Sequence, residues 1–122
     1  MTSRAGYEVI FYQDLRGNCP VKDFLRQYPE KVQAKFYRWI QLLESEGPNL
    51  PRPYADVLRG KIRELRVNLG SHQNRFPYFF HGKLVVLTHG FLKKTPQVPE
   101  KEIERAIKFM NDFLRRFQGE AS

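Results

Sequence analysis

The chain has a single cysteine, Cys19, among its 122 residues. One thiol excludes an intramolecular disulfide and any zinc site built on paired cysteines. It fits a reducing, cytoplasmic setting. Long apolar runs are missing as well. None approaches the roughly 20 residues that a membrane-spanning helix needs. The first residues, Met1 to Gly6, lack the apolar run of a signal peptide. A soluble, cytoplasmic protein without a membrane partner is expected. There is no glycine-rich phosphate loop, no Gly-x-Ser-x-Gly, and no pair of histidines at metal-ligand spacing. No metal and no cofactor is therefore expected. Internal repeats and low-complexity tracts are absent, and the length suits one domain over residues 1–122.

Acid is scarce in one place only. Residues 52–94 carry nine Lys/Arg against Asp56 and Glu64, a net of +7, whereas residues 1–51 and 95–122 are close to neutral. Almost all of the +8 excess thus falls in about one third of the chain. A basic cluster with few acids is the electrostatic footprint of a phosphate-binding protein. The bland alternative is a solvated, solubilising surface.

Hydrophobic periodicity places this segment in a sheet. Tyr7 to Tyr12 alternates as a first strand. Arg16-Gly17-Asn18 marks a turn, and Pro20 opens a helix whose apolar face is Val21, Phe24, Leu25 and Tyr28. Pro29 separates it from a second helix, with Val32, Phe36, Trp39, Ile40 and Leu43 on one face and Gly47-Pro48 at its end. Residues 47–56 are expected to be a loop. Three strands then form a meander: Lys61 to Val67, Arg75 to Phe80, and the apolar run Leu84 to Leu87, with turns at Gly70-Ser71 and Gly82. Pro99 opens a last helix carrying Ile103, Ala106, Ile107, Met110, Phe113, Leu114 and Phe117 at helical spacing. The expected class is α+β, in the order β-α-α-β-β-β-α, with a mainly antiparallel sheet, two N-terminal helices and one C-terminal helix.

The chemistry of such a chain rests on cations carried by strands. In an extended Lys61 to Val67, Arg63, Leu65 and Val67 share one face while Ile62, Glu64 and Arg66 share the other. Leu65 and Val67 suit the core, which leaves Arg66 on the open face and Arg63 as a packing or ion-pairing residue. Arg75 begins the next strand, and Lys93 and Lys94 follow the third. Converging guanidinium and ammonium groups can hold a phosphate backbone, or stabilise the pentacoordinate phosphorus formed when the RNA 2′-OH attacks its neighbour. Composition alone does not separate binding from cutting. Tyr78 is a stacking or proton-handling candidate, although strand aromatics usually pack. His72 and His81 fall in expected turns. His89 is equally compatible with a core position and with facing the cations.

Several segments in order carry a resemblance. They are Leu58-Arg59-Gly60, Ile62-Arg63-Glu64-Leu65-Arg66-Val67, Asn74-Arg75, Tyr78-Phe79-Phe80, Leu87 to Thr95 with Gly90-Phe91-Leu92-Lys93-Lys94, and Pro99 to Ala106. Across roughly residues 7–115 the chain resembles the RelE/ParE toxin superfamily, and is most similar to its phage-derived, HigB-like branch. The resemblance implies a RelE-like fold and a toxin of a type II toxin–antitoxin module, a ribosome-dependent endoribonuclease (mRNA interferase) that cuts mRNA without a metal and so inhibits translation. By position it implies catalytic roles for Arg66, Arg75 and Lys94, with Lys93 beside it; Arg63, Lys61, Tyr78 and His89 are candidate RNA contacts from the strand reading itself. Its implied partners are mRNA on the ribosome and a cognate antitoxin, expected to be a helix-turn-helix protein, that covers the basic face. Departures are Gln97, Val98, Glu64 and Pro77; a strand proline favours an edge or a bulge. A non-catalytic nucleic-acid or ribosome-binding module and a ParE-like, gyrase-targeting toxin are the alternatives. The cutting hypothesis requires that Arg66, Arg75 and Lys94 meet on one patch without being neutralised, each by its own carboxylate.

Overall fold

The computed structural model describes residues 6–117. The order is β1 (Glu8–Phe11), α1 (Pro20–Leu25), α2 (Glu30–Glu46), a short 3₁₀ turn (Gly47–Asn49), β2 (Ala55–Arg59), β3 (Ile62–Leu69), β4 (His72–His81), β5 (Leu84–Leu87), β6 (Phe91–Leu92) and α3 (Glu100–Phe117). The fold is α+β, with one sheet in the order β1-β5-β4-β3-β2 and β6 paired to β4. This arrangement is consistent with a RelE-like fold. β1 runs parallel to β5, and the other pairings are antiparallel.

Two strands lie beyond the expected meander. β2 begins inside the expected 47–56 loop. It is short and edge-placed, and Ala55, Asp56 and Arg59 give it little strand propensity. β6 is a two-residue strand that only its pairing with Asn74 and Arg75 defines. β4 starts at His72, so this residue lies on a strand and not in the expected turn.

The sheet separates two apolar layers. On one face Leu65, Val67, Phe76, Tyr78, Val85 and Leu87 pack under α1 and α2 through Val21, Leu25, Phe36, Ile40 and Leu43. On the other, Ile62, Phe79 and Val86 pack under α3 through Ala106 and Phe113. Strand alternation sends successive side chains to these two faces. Gly90 lies where the chain passes over Phe76 and Phe24: a Cβ there would come within 2.6 Å of the Phe76 ring.

Pro77 is not at an edge. It sits within β4, opposite Glu64 of β3. Its carbonyl accepts the Thr88 N–H at 2.8 Å, so its nitrogen faces the same side. There residues 88–90 leave the sheet between β5 and β6, so the missing donor falls at a break in the ladder.

Candidate nucleic-acid interface

β3 and β4 pair so that Arg66 and Arg75 are directly opposed. Opposed residues of an antiparallel pair point to the same face. For these two it is the α3 face, beyond the part that α3 covers. Like charges placed this way destabilise a sheet. Glu64 offsets the repulsion, since it lies two residues from Arg66 and on the same face. Its Oε2 accepts from Arg66 Nε at 3.2 Å, and its Oε1 lies 3.3 Å from Arg75 Nε. The Glu64 and Arg75 side chains are 5 % and 8 % exposed, and that of Arg66 is 30 % exposed. Glu64 Oε1 and Arg75 Nε are both buried without an aligned hydrogen bond, so theirs is a charge contact. Burial pulls the Arg75 pKa down, with Glu64 opposing and Arg66 adding to the fall; a guanidinium stays protonated nonetheless.

Asp56 on β2 completes the network. Its Oδ2 accepts from Arg66 at 3.3 Å and from Arg52 at 2.8 Å. The Val57 backbone N–H, then the arginines, hold its carboxyl below the usual range. Arg66 and Arg75 are therefore not the bare cation patch that the composition suggested. Each is engaged by a carboxylate, so the condition that the sequence set for cutting is not met as it stood. Glu64 was legible as a partner from its i, i+2 spacing to Arg66. Asp56 was hidden because its segment read as a loop.

The lysines sit at one flank. Arg75 opposes Phe91, so alternation keeps Lys93 on the Arg75 face, roughly 7 Å further along the strand direction. The Lys93 backbone N–H donates to Gln73 at 2.8 Å. Lys94 lines an open groove with His72, Gln73, Lys93 and Thr95. Neither lysine has a carboxylate partner among the described residues.

The other candidates lie elsewhere. Arg63 is on the opposite sheet face, where its Nε donates to the Tyr78 hydroxyl at 3.3 Å. Tyr78 is fully buried in the layer under α1 and α2, so it offers no ring to a base. Burial raises its pKa. Lys61 is exposed in the β2–β3 turn, about 16 Å along the strand from Arg66. His89 is a core residue, 0 % exposed. Its Nδ1 faces Thr88 Oγ1 at 2.9 Å and its Nε2 faces Glu102 Oε1 at 3.1 Å. Burial, then the Arg105 charge, push its pKa down to about 3. Strand geometry thus opposes Arg66 and Arg75, leaves Lys93 and Lys94 together on a groove at one flank, and separates Arg63, Lys61, Tyr78 and His89 from them.

Among the described residues no group of three or more His, Cys, Asp or Glu is placed to hold a metal ion. None of their helices is long and apolar enough to cross a membrane.

No curated protein matches the chain. A family model described as phage derived protein Gp49-like (DUF891) matches residues 23–111, a span that includes β2 to β6, Glu64 and the four cations. The match covers well over half of the sequence, and the chain belongs to this Gp49-like family of phage-derived proteins, a family associated with RelE-like toxins.

Proposed function

We propose that the protein is the toxin of a two-gene toxin–antitoxin module and that it cuts mRNA engaged on the ribosome. One observation carries the reading. Two arginines, Arg66 part-exposed and Arg75 buried, are held opposite one another on the α3 side of the sheet, at a cost to the sheet, around the shared Glu64 carboxylate. Local violations of stability that a fold must compensate concentrate at functional sites.

In this reading Arg66 and Arg75 clamp the non-bridging oxygens of one phosphodiester. Glu64, whose carboxylate lies between the two arginines, accepts the 2′-OH proton at Oε2, the oxygen on the side of the part-exposed Arg66. The 2′-oxygen then bonds to phosphorus, the bond to the 5′-oxygen breaks, and Lys93 supplies the proton that the leaving oxygen takes up. The products are a 2′,3′-cyclic phosphate and a 5′-hydroxyl end. The antitoxin, a helix-turn-helix protein, covers this face in the stored complex.

A second reading is binding without chemistry. It is favoured by the carboxylates that already engage both arginines. Brief induction followed by mapping of transcript 5′ ends separates the two. New 5′-hydroxyl ends with the wild type, absent with folded Arg66→Ala, support cutting. Growth arrest without new ends refutes it, and if DNA-damage signals rise the gyrase-directed alternative takes its place.

A further inference from the structure

The opposite side of the molecule carries a surface that the RNA-cutting reading does not use. α2 is amphipathic, and its inner side is Phe36, Ile40 and Leu43. Beside that row Lys35, Arg38, Trp39 and Leu42 form a ridge at i, i+3, i+4 and i+7, the spacing of one helical face. Tyr54, 43 % exposed, faces this ridge from the turn before β2. Together these five residues line a groove of about 270 Å³. Trp39 and Leu42 are half-buried against the core, so the floor is a fixed apolar slot.

The rim is cationic and unanswered. Residues 31–43 contain no Asp or Glu. Lys31, one turn before Lys35, extends the positive stripe. None of Lys31, Lys35 and Arg38 has a carboxylate partner among the described residues. An apolar slot holding Trp, Tyr and Arg has the composition of an interface hot spot. A second copy of this chain is a poor occupant, because both carry +8.

We infer that the α2 groove docks an amphipathic helix of a partner protein, one that presents aliphatic side chains to Trp39, Leu42 and Tyr54 and carboxylates to Lys35 and Arg38. A two-turn ridge suits a helix laid along it, with i, i+4 anchors filling the slot. The aliphatic Leu42 and the packed Trp39 favour branched apolar side chains over stacked bases. Strand addition at the neighbouring β2 edge is disfavoured. The Ala55 N–H already donates to the Pro51 carbonyl and the Val57 N–H to the Asp56 carboxylate. Arg66 and Arg75 lie on the other sheet face, so this contact does not involve them.

Trp39 is the only tryptophan, and its emission reports on the groove alone. The probe is a capped helical peptide of about four turns, free of aromatics, with leucines at i, i+4 and glutamates flanking them. Titrated into the full chain, it is expected to shift Trp39 emission to the blue and to saturate. Lys35→Glu with Arg38→Glu, both surface positions, should weaken binding at least about tenfold while leaving the thermal melt unchanged. The same peptide with lysines for glutamates should not bind. Failure of the acidic peptide to shift the emission overturns the inference. So does equal binding of the lysine peptide, or a stronger response to single-stranded oligouridylate than to the acidic peptide.

Discussion

Replacing Glu64 by Gln keeps the shape of the side chain and removes one charge from between two guanidiniums. The cost can be worked from the contacts. Removing one partner of a buried ion pair costs about 3–5 kcal/mol, because the other charge is left uncompensated. Arg66 is 30 % exposed and keeps Asp56 at 3.3 Å, so water and that carboxylate absorb most of its share. Arg75 keeps only a 3.4 Å contact from its guanidinium to the Asn74 carbonyl. Because the Glu64–Arg75 contact is a charge contact without hydrogen-bond alignment, the lower figure applies, about 3 kcal/mol. With a urea slope of about 1.5 kcal/mol/M, the unfolding midpoint should fall by roughly 2 M. Urea unfolding followed by circular dichroism measures it. The double variant Glu64→Leu, Arg75→Met replaces the buried pair by apolar groups of similar size. It should recover most of the loss, since such replacements are often neutral. A Glu64→Gln protein within about 0.5 kcal/mol of the wild type, or a double variant no more stable than the single one, would refute the assignment of Glu64 as the group that holds both arginines.

Other expectations follow from groups outside this network. His89 has its folded pKa lowered from about 6.5 to about 3 by burial, so the unfolded chain takes up the proton first. Its contribution is present above pH 6.5 and is lost as pH falls from about 6.5 towards 3. Urea midpoints across that window should drop for the wild type and stay flatter for a folded His89→Gln variant. Tyr12 has its folded pKa raised to about 12, by burial and then by its 2.5 Å hydrogen bond to Asp112. Its contribution is present below the unfolded value near 10 and is lost as pH rises from about 10 through 12; phenolate absorbance should show one titration above the usual tyrosine range that moves down in Asp112→Asn. Gly90→Ala places a methyl 2.6 Å from Phe76 and 2.7 Å from Phe24, and should destabilise by about 1–3 kcal/mol in the same urea assay, as overpacking does.

What could be read in the sequence was what has local cause. Helix faces, the Gly82 turn and the Leu84 to Leu87 strand follow from periodicity and turn chemistry, and they stand as expected. Placing Arg66 and Arg63 on opposite sheet faces needed only strand alternation, and it too stands. The edge strand β2 and the two-residue β6 exist because β3 and β4 offer them partners, a long-range cause without a local pattern. The site divides the same way. Arg66 facing Arg75 depends on the register of a ten-residue strand that includes His72, which looked like a turn. Asp56 was lost with β2. His89 and Tyr78 are buried by α3 and by the helix pair, and polar residues do not announce such burial.

The charge count at this site bears on how cutting would work. Arg52, Arg66 and Arg75 against Glu64 and Asp56 leave one net positive charge, and Lys93 and Lys94 at the flank add two more. The two carboxylates hold the pull on a ground-state phosphodiester below what the cations alone would exert. Once Glu64 takes the 2′-OH proton, the site gains one positive charge at the moment the attacked phosphate gains one negative charge. The interaction is then stronger in the transition state than with bound substrate, which is the condition for lowering the barrier and not only binding. Glu64→Gln, which carries the extra positive charge permanently, should therefore lose cutting and yet hold a 2′-O-methyl RNA more tightly than the wild type, by roughly tenfold for about 1.4 kcal/mol of regained attraction. Fluorescence anisotropy below the variant's melting temperature measures this. Equal or weaker binding by Glu64→Gln would mean that Glu64 only braces the arginines and accepts no proton.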